Sequence, residues 1–171
     1  MLIDTVTYNI MRLTENPTTT ATTKIISIVF DPVVLLVIAL TISIYLLTKC
    51  QKKQATLLAA TVLITSAAIE ILKTTLKVAR PADSIILETG FSLPSGHVTM
   101  AVVFLGLTSY IFIKKNTILT KIVVVVTILA ITFSRVYLRV HWLTDTLVGL
   151  ILGSIILIIA TQIYDKINSS K

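Results

Sequence analysis

The residues best suited to chemistry occur in three short groups, each at the edge of a long apolar segment. In chain order they are Lys73 with Arg80 and Pro81; Pro94-Ser95-Gly96-His97; and Ser134-Arg135 with His141 and Asp145. Three cations and a Ser-Gly pair can hold an anion, two histidines can act as nucleophile or proton donor, and a carboxylate can orient a histidine ring. Each group alone is a weak signal, but the three in this order indicate one anion-processing active site.

The first group combines two cations with a proline. Lys73 and Arg80 are seven residues apart, which is two turns of an α-helix, so the spacing predicts that both side chains point the same way from the end of an apolar helix. Pro81 would then end that helix. The alternative for both cations is a structural role, in which they snorkel to the membrane surface or complement the helix dipole.

The second group lies where a loop leads into an apolar segment. Backbone N–H groups at a helix N-terminus can cradle an anion, and Gly96 allows that anion to approach closely. The Ser95 hydroxyl either adds a donor to this cradle or simply caps the helix. His97 favours the functional interpretation, because an ionisable ring at the start of a membrane-embedded helix is costly and usually functional.

The third group lies between the last two apolar segments. The four-residue step from His141 to Asp145 is one helical turn, which predicts that the carboxylate lies within reach of the ring. Such a carboxylate fixes the tautomer of a histidine and stabilises its protonated form. Gly149 and Gly153 continue at the same spacing, and they predict close packing of the last helix rather than catalysis.

The elements that position these groups are expected to lie in a membrane. Of 171 residues, 55% are hydrophobic and 13% are charged, and the mean hydropathy is +0.94, which excludes an ordinary soluble domain. Five apolar segments of roughly membrane-spanning length follow one another: 25–48, 54–72, 96–113, 117–136 and 143–164. None alternates with a period of two, so a transmembrane barrel is disfavoured. The predicted fold class is all-α integral membrane, a bundle of five transmembrane helices.

The segment before the first span has a different pattern. Its apolar residues recur at helical spacing: Leu2, Ile3, Val6, Ile10 and Leu13. This pattern predicts an amphipathic helix on the membrane surface, whereas a signal peptide is disfavoured because the start is acidic and lacks a long apolar core. We therefore expect an N-terminal interfacial segment at 1–24 with a Thr-rich polar link at 18–23, one transmembrane domain at 25–165, and a polar tail at 166–171.

The basic residues predict the orientation of the bundle. If the three groups share one face, the opposite face carries eight lysines, at positions 49, 52, 53, 114, 115, 121, 166 and 171. The face with the groups carries four further basic residues: Arg12, Lys24, Lys77 and Arg139. The positive-inside rule then places the lysine face in the cytoplasm and the site on the outer side of the cell membrane. Topology and anion binding thus account for the net charge of +7, and nucleic acid is not an expected partner. Cys50 is the only cysteine, so no internal disulfide can form.

The three groups together resemble the tripartite signature of the type 2 phosphatidic acid phosphatase superfamily, over about residues 25 to 164. The matching motifs are Lys73-(six residues)-Arg80-Pro81, Pro94-Ser95-Gly96-His97 and Ser134-Arg135-(five residues)-His141-(three residues)-Asp145. The resemblance implies that His141 is the nucleophile that becomes phosphorylated, that Asp145 orients it, and that His97 is the general acid.

The resemblance also implies a set of phosphate-binding residues: Lys73, Arg80, Ser95, Gly96 through its amide, and Arg135. Three fixed cations and backbone amides can stabilise the charge on a transferring phosphoryl group without a metal. The sequence offers no acidic cluster for a two-metal centre, only Asp83 and Glu88 in the loop between the first two groups. We therefore expect neither a metal nor another cofactor.

The predicted function is that of a membrane lipid phosphatase, whose candidate substrates are isoprenyl diphosphates such as undecaprenyl diphosphate, phosphatidate and phosphatidylglycerol phosphate. The soluble vanadium haloperoxidases share the signature, but this chain is too apolar and too short to resemble them. The alternative from another class is a non-catalytic lipid-binding or scaffold protein that retains the motif. His141 and Asp145 argue against it, because pure binding needs cations but no nucleophile.

Two positions depart from the family pattern. Arg139 stands where relatives often carry Gly, and Leu143 stands where they often carry Pro. Neither change removes a catalytic group. Arg139 can either reach a second phosphate of a diphosphate headgroup or lie at the level of the lipid headgroups without a specific role.

Overall fold

A computed structural model of the chain describes residues 2–113 and 117–169. In this part the structure has seven α-helices and no β-strand: α1 Leu2–Leu13, α2 Pro17–Val29, α3 Pro32–Thr48, α4 Lys52–Leu76, α5 Gly96–Phe112, α6 Ile118–Tyr137 and α7 Leu143–Ser169. The prediction of an all-helical chain is confirmed for the described residues.

Among the described residues, four helical segments are long and apolar enough to cross a membrane. They are Pro17–Thr48, which joins α2 and α3, and the helices Lys52–Leu76, Ile118–Tyr137 and Leu143–Ser169. The third predicted span corresponds to α5, which has 17 residues, fewer than the roughly 20 that a bilayer core requires. A count of five transmembrane helices stays a prediction.

The first predicted span, 25–48, is wrong as one continuous helix. The chain breaks after Val29, and α3 starts at Pro32, because proline lacks an N–H group and keeps the preceding residue out of the helical conformation. The Asp31 side chain caps α3 by accepting hydrogen bonds from two of its first N–H groups, at 2.8 and 3.4 Å. The Thr-rich run 18–23 is not a link, since it lies within α2.

The prediction that Lys73 and Arg80 extend from one helix is also wrong. α4 ends at Leu76, and Lys77 follows in the left-handed conformation, with φ of 50°. The Lys77 N–H donates a hydrogen bond to the Lys73 carbonyl at 3.0 Å, which satisfies one of the free carbonyls of the helix end. Arg80 therefore lies in a loop, and Pro81 does not end the helix.

α5 is the central helix of the bundle. Ten of its 17 residues are buried, and it packs against α3, α4, α6 and, most extensively, α7. A Cβ atom at Gly149 would lie 3.0 Å from the Ser95 carbonyl oxygen, and one at Gly153 would lie 2.8 Å from the Val102 Cβ. The predicted packing role of these two glycines is confirmed, because a side chain at either position would press against α5 and its flanking backbone.

The end of the bundle opposite the predicted site carries Lys49, Lys52, Lys53, Lys121 and Lys166. Lys53 Nζ donates to the Ile167 carbonyl at 2.8 Å, which joins the start of α4 to the end of α7. The Tyr110 hydroxyl donates to Asp165 at 2.8 Å, which joins the end of α5 to the same part of α7. Three of the lysines that predict the orientation, at positions 114, 115 and 171, lie outside the described residues.

α1 faces two ways. Leu2, Ile3, Val6, Ile10 and Leu13 are exposed, whereas Asp4 is buried against the start of α7. This arrangement is typical of a helix on a membrane surface, and the interfacial location stays a prediction.

The proposed division of the chain also stays a prediction. α7 continues without a break through residue 165 to Ser169, and residues 170 and 171 of the predicted tail are outside the described part.

Candidate active site

The structure brings the eight predicted site residues to one end of the bundle. Lys73 lies in the last turn of α4, and Arg80 lies in the loop that follows. Ser95, Gly96 and His97 lie at the start of α5, and Arg135 lies in the last turn of α6. His141 lies in the connection after α6, and Asp145 lies in the first turn of α7. The ends of α4 and α6 and the starts of α5 and α7 therefore meet at this end of the bundle.

His141 and Asp145 form a buried pair. The Nδ1 atom of His141 lies 3.5 Å from the Asp145 Oδ2 atom, a close approach that is longer than a hydrogen bond. The other ring nitrogen, Nε2, lies 3.3 Å from Arg80 Nη1. An arginine can only donate, so Nε2 is the acceptor and the ring proton is on Nδ1, towards the carboxylate. This tautomer puts the lone pair on Nε2, where it accepts from Arg80 in this structure.

The carboxylate of Asp145 is itself held in place. It accepts a hydrogen bond from the Trp142 N–H group at 2.8 Å. Trp142 directly precedes α7, and an acidic side chain in the first turn of a helix often accepts from the N–H group at that position. His141 therefore precedes α7 rather than lying on it, and the predicted contact forms through the helix start instead of along one helix face.

Arg80 reaches the site through backbone contacts of two loops. Its Nη1 donates to the Val140 carbonyl at 2.7 Å, Nε donates to the Gly90 carbonyl at 3.2 Å, and Nη2 donates to the Thr89 carbonyl at 3.3 Å. These bonds fix the guanidinium beside His141. The loop 77–95 thus performs the positioning that the sequence spacing assigned to a helix.

Arg135 is the most deeply buried cation of the site, with 0% of its surface exposed. Its guanidinium donates to the Ser27 hydroxyl and, at 2.5 Å, to the Glu88 carboxylate. Glu88 also lies 3.7 Å from Arg80, so one carboxylate lies between two guanidinium groups. The Nε atom of Arg135 has no hydrogen-bond partner among the described residues.

The start of α5 has the features of an anion site. Ser95 precedes the helix but its hydroxyl makes no capping bond, and the buried Oγ atom has no partner in the described part of the chain. The helix-cap interpretation of Ser95 is therefore wrong, and a donor role remains. A Cβ atom at Gly96 would meet Pro32 at 3.5 Å and Ile69 at 3.6 Å, which are ordinary distances, so packing does not require a glycine here.

His97 lies at the break between α2 and α3. Its Nε2 atom is 3.2 Å from the Ser27 carbonyl oxygen and 3.7 Å from the Asp31 carboxylate. Ser27 therefore touches His97 through its carbonyl and Arg135 through its hydroxyl. The break in the first predicted span is what brings these groups together.

Two of the predicted site residues, Lys73 and Gly96, line a largely apolar cavity. The cavity has a volume of about 260 Å³ and is bounded by Lys73, Glu70 and Gly96 together with apolar residues, among them Pro32, Leu36, Ile69 and Met100. A second cavity of about 480 Å³ follows between α3 and α4, lined by residues such as Leu40, Ile44 and Leu63. α3 and α4 thus line two separate apolar cavities, and one of them includes the site cation Lys73.

The electrostatics of the site keep His141 neutral. Burial holds the pKa of His141 well below its ordinary value, and the positive charges of Arg135, Arg80 and Lys73 lower it further. Burial raises the pKa of Glu88, but the neighbouring Arg135 and Arg80 outweigh that effect and bring the pKa below its usual range. A neutral imidazole and an ionised carboxylate therefore coexist at neutral pH.

The sequence predictions missed two residues of the site, Glu88 and Ser27. In the sequence, Glu88 stands out only as a possible metal ligand, although it is one of two carboxylates in a loop between predicted cation positions. Pairing with those cations was the available signal. Ser27 lies among apolar residues and threonines, and nothing in its sequence context marks it.

The two alternatives for Arg139 do not describe its position. Its side chain is buried and forms an ion pair of 2.9 Å with Glu15, and its Nε atom donates to the Asp83 carbonyl at 3.1 Å. It is thus directed at protein groups, not at a headgroup phosphate or the lipid surface.

Metal ligands are not grouped in the described part of the chain. Within residues 2–113 and 117–169 no three His, Cys, Asp or Glu side chains lie close enough to hold a metal ion. Independence from metal stays a prediction about the reaction.

Known proteins resemble the chain in sequence and in fold. Phosphatidylglycerophosphatase B of Bacillus subtilis (strain 168) is 34% identical over 87 residues, a match that covers 47% of the chain and 43% of that relative. The chain thus matches less than half of the relative's length.

Two crystal structures share the fold. The transmembrane PAP2 type phosphatidylglycerolphosphate phosphatase from Bacillus subtilis has a TM-score of 0.87 at 23% identity, covering 96% of this chain and 85% of its own. LpxE of Aquifex aeolicus has a TM-score of 0.73 at 20% identity, covering 91% of this chain and 92% of its own.

The family model of the PAP2 superfamily matches residues 54–169. This range is more than half of the 171 residues and contains all three groups of polar residues. With the site geometry and the shared fold, it shows that the chain belongs to the PAP2 superfamily.

Proposed function

We propose that the protein is a membrane phosphatase that hydrolyses the phosphate ester or diphosphate of a lipid headgroup through a phosphohistidine. The observation that supports this most is the position of His141. Its Nε2 atom lies beside the Arg80 guanidinium, its Nδ1 atom faces Asp145, and the ring is neutral. A nucleophile for phosphorus needs these features together.

The reaction has two steps. In the first, His141 Nε2 attacks phosphorus, a P–N bond forms, and the bond from phosphorus to the leaving oxygen breaks. The leaving oxygen takes a proton from His97, and Asp145 stabilises the positive charge that develops on the His141 ring. In the second, a water molecule gives a proton to His97 and its oxygen attacks phosphorus, which breaks the P–N bond and releases inorganic phosphate.

The cations stabilise the transferring group. Lys73, Arg80 and Arg135 with the Ser95 hydroxyl and the Gly96 amide face the three equatorial oxygens of the phosphoryl group, where charge spreads in the transition state. Glu88 now holds Arg135 and Arg80. When phosphate binds, Glu88 must give up these contacts, because the phosphate oxygens need the same donors.

A lipid substrate is supported by the apolar cavity beside Lys73. Lys73 and Gly96 line the cavity of about 260 Å³ whose other walls are mostly apolar, so a phosphate can meet the cations while its chain lies along α3 and α4. The names of the relatives support phosphatidylglycerol phosphate as a substrate. Phosphatidate and an isoprenyl diphosphate such as undecaprenyl diphosphate have the same chemical features.

The experiment is a phosphate-release assay on the purified protein with a panel of these three lipids in detergent micelles, with and without EDTA. We expect release from at least one lipid, unaffected by EDTA and abolished by His141→Ala. A variant of an exposed residue at the other end of the bundle, Lys121→Ala, serves as the control. If the wild-type protein binds these lipids but releases no phosphate, it is a non-catalytic lipid-binding protein and the proposal is wrong.

A further inference from the structure

The N-terminal segment contacts the connection that carries His141 on both sides of that residue. The segment is formed by residues 4–16, which we name the strap, and the connection by residues 137–144, which we name the His141 turn. Before His141, the Asn16 N–H donates to the Tyr137 hydroxyl at 3.0 Å. After it, the Asp4 carboxylate accepts from the Thr144 N–H at 3.0 Å. Residues that flank the nucleophile are thus held by a separate helix.

The middle of the strap makes two further contacts. The Tyr8 hydroxyl donates to Asp83, and the Tyr8 ring lies 5.9 Å from the Trp142 ring. Trp142 in turn donates through its indole N–H to the Ala79 carbonyl at 2.9 Å. The strap therefore contacts the loop that carries Arg80 as well as the His141 turn.

Arg139 joins these parts. It lies two residues before His141, with φ of 55°, a conformation that residues with a Cβ atom rarely adopt. Its buried guanidinium pairs with Glu15 of the strap at 2.9 Å and lies 3.6 Å from the Asp83 carboxylate. One side chain thus links the strap, the Arg80 loop and the His141 turn, which accounts for an arginine at a position whose backbone favours glycine.

The outer side of α1, the helix that contains most of the strap, is apolar. Leu2 and Leu13 at the two ends of α1 are more than four-fifths exposed, and Ile3, Val6 and Ile10 are about half exposed. The other side of this helix packs against protein. Such exposed apolar residues are typical of a helix that lies in the membrane surface. The strap therefore combines a lipid-facing side with a side that contacts the site.

We infer that the strap is a positioning device for His141: through Glu15–Arg139–Asp83, Tyr8–Asp83 and Asp4–Thr144 it fixes the His141 turn at the membrane surface. The inference rests on the proposed role of His141 as nucleophile. Arg139, Glu15 and Tyr8 touch neither the predicted phosphate-binding atoms nor the reacting nitrogen. Their loss should therefore lower kcat and leave phosphate binding intact.

The test compares Arg139→Gly, Glu15→Gln and their double variant with the wild-type protein and with Asn9→Ala, an exposed residue of the same helix. Arg139→Gly is the sharpest variant, because glycine keeps the backbone conformation and removes only the side-chain contacts. We expect kcat to fall by about ten- to a hundredfold, with KM and orthovanadate affinity within about twofold. The double variant should be no worse than Arg139→Gly, since the two side chains act as a pair.

A second measurement does not depend on turnover. Hydrogen–deuterium exchange of residues 138–146 should be roughly tenfold faster in Arg139→Gly and Glu15→Gln than in the wild-type protein, because the contacts that close the turn are lost. Wild-type kcat and wild-type exchange in both variants would overturn the inference. A loss of kcat that only matches the loss of vanadate-binding sites would also overturn the inference, because it indicates that the variants misfold. If the wild-type protein is inactive on all lipids, the proposed function fails, and the exchange measurement still decides whether the strap holds the His141 turn.

Discussion

The two ends of the bundle use charge in different ways. At the active-site end, Arg135, Arg139, His141 and Asp145 are buried, and each has a protein partner. At the opposite end, Lys49, Lys52, Lys53 and Lys121 are exposed at helix ends. Buried charges need partners to offset their desolvation, whereas exposed lysines need none. The charges at one end are therefore organised for chemistry, and those at the other orient the chain in a membrane.

A measurement of topology tests the contrast between the two ends most completely. Cys50 is exposed at the lysine end, and Leu87 is 94% exposed in the loop beside the site. An impermeant thiol reagent should label Leu87→Cys in a Cys50→Ser background in intact cells, and should label the native Cys50 only after the cells are opened. Labelling of both positions from one side would refute the arrangement of the ends, and the reverse pattern would place the site in the cytoplasm.

Removing one cation from each end should give very different losses. Arg135→Ala should lower kcat/KM by roughly 10²- to 10³-fold, because a preorganised donor to the phosphoryl oxygens is lost. Lys121→Ala should change it by less than about twofold. The measurement is steady-state phosphate release, normalised to the folded protein recovered by size exclusion. Comparable losses in the two variants would contradict the division of roles.

Glu88 sharpens the comparison, since its carboxylate pairs with two cations of the site, Arg135 and Arg80. Glu88→Gln removes its charge, so Arg135 and Arg80 should bind orthovanadate about tenfold more tightly. The control is Asp165→Asn at the lysine end, which should leave vanadate affinity unchanged. Isothermal titration of both variants measures the effect, and weaker binding by Glu88→Gln would show that Glu88 supports the anion site instead of competing for it.

The smallest effect is a shift in protonation. The pKa of His141 is lowered by burial and by Arg135 and Arg80, so the ring should stay neutral as pH falls through 6.5, the ordinary value, and should protonate only below it. The chain has two histidines, so NMR of histidine-labelled protein resolves them, with His97→Gln for assignment. Glu88 raises the pKa of His141, and Glu88→Gln should lower it further. Titration near 6.5 would contradict the electrostatic account.

The sequence predicted which residues lie in the candidate site better than it predicted how they are arranged. Lys73, Ser95, His97 and Arg135 could be identified because their spacing matches a known signature. Arg80 was identified for the wrong structural reason: the left-handed cap at Lys77 ends α4 early, and nothing in the spacing marks a lysine for that conformation. Glu88 and Ser27 were missed because their roles depend on contacts across 47 and 108 residues, which no local pattern encodes.

The fold shows the same division. Long apolar runs predict helices because a membrane leaves the backbone no other partner. The described residues are helical or lie in connections between helices, the longest of which is 77–95. The break at Asp31 and Pro32 could have been read from the proline. The contacts of α1 with the His141 turn could not, because they depend on how an amphipathic helix packs after the bundle has formed.

The central claim is that His141 becomes phosphorylated, and rapid acid-free quenching of the protein with ³²P-labelled phosphatidylglycerol phosphate or phosphatidate tests it directly. Trypsin cleaves after Arg139, so His141 and His97 fall in different peptides. We predict a label that is stable in base and lost in acid, on the peptide that starts at Val140, and absent from His141→Ala. Label on any other residue, or undiminished turnover by His141→Ala, would contradict the account.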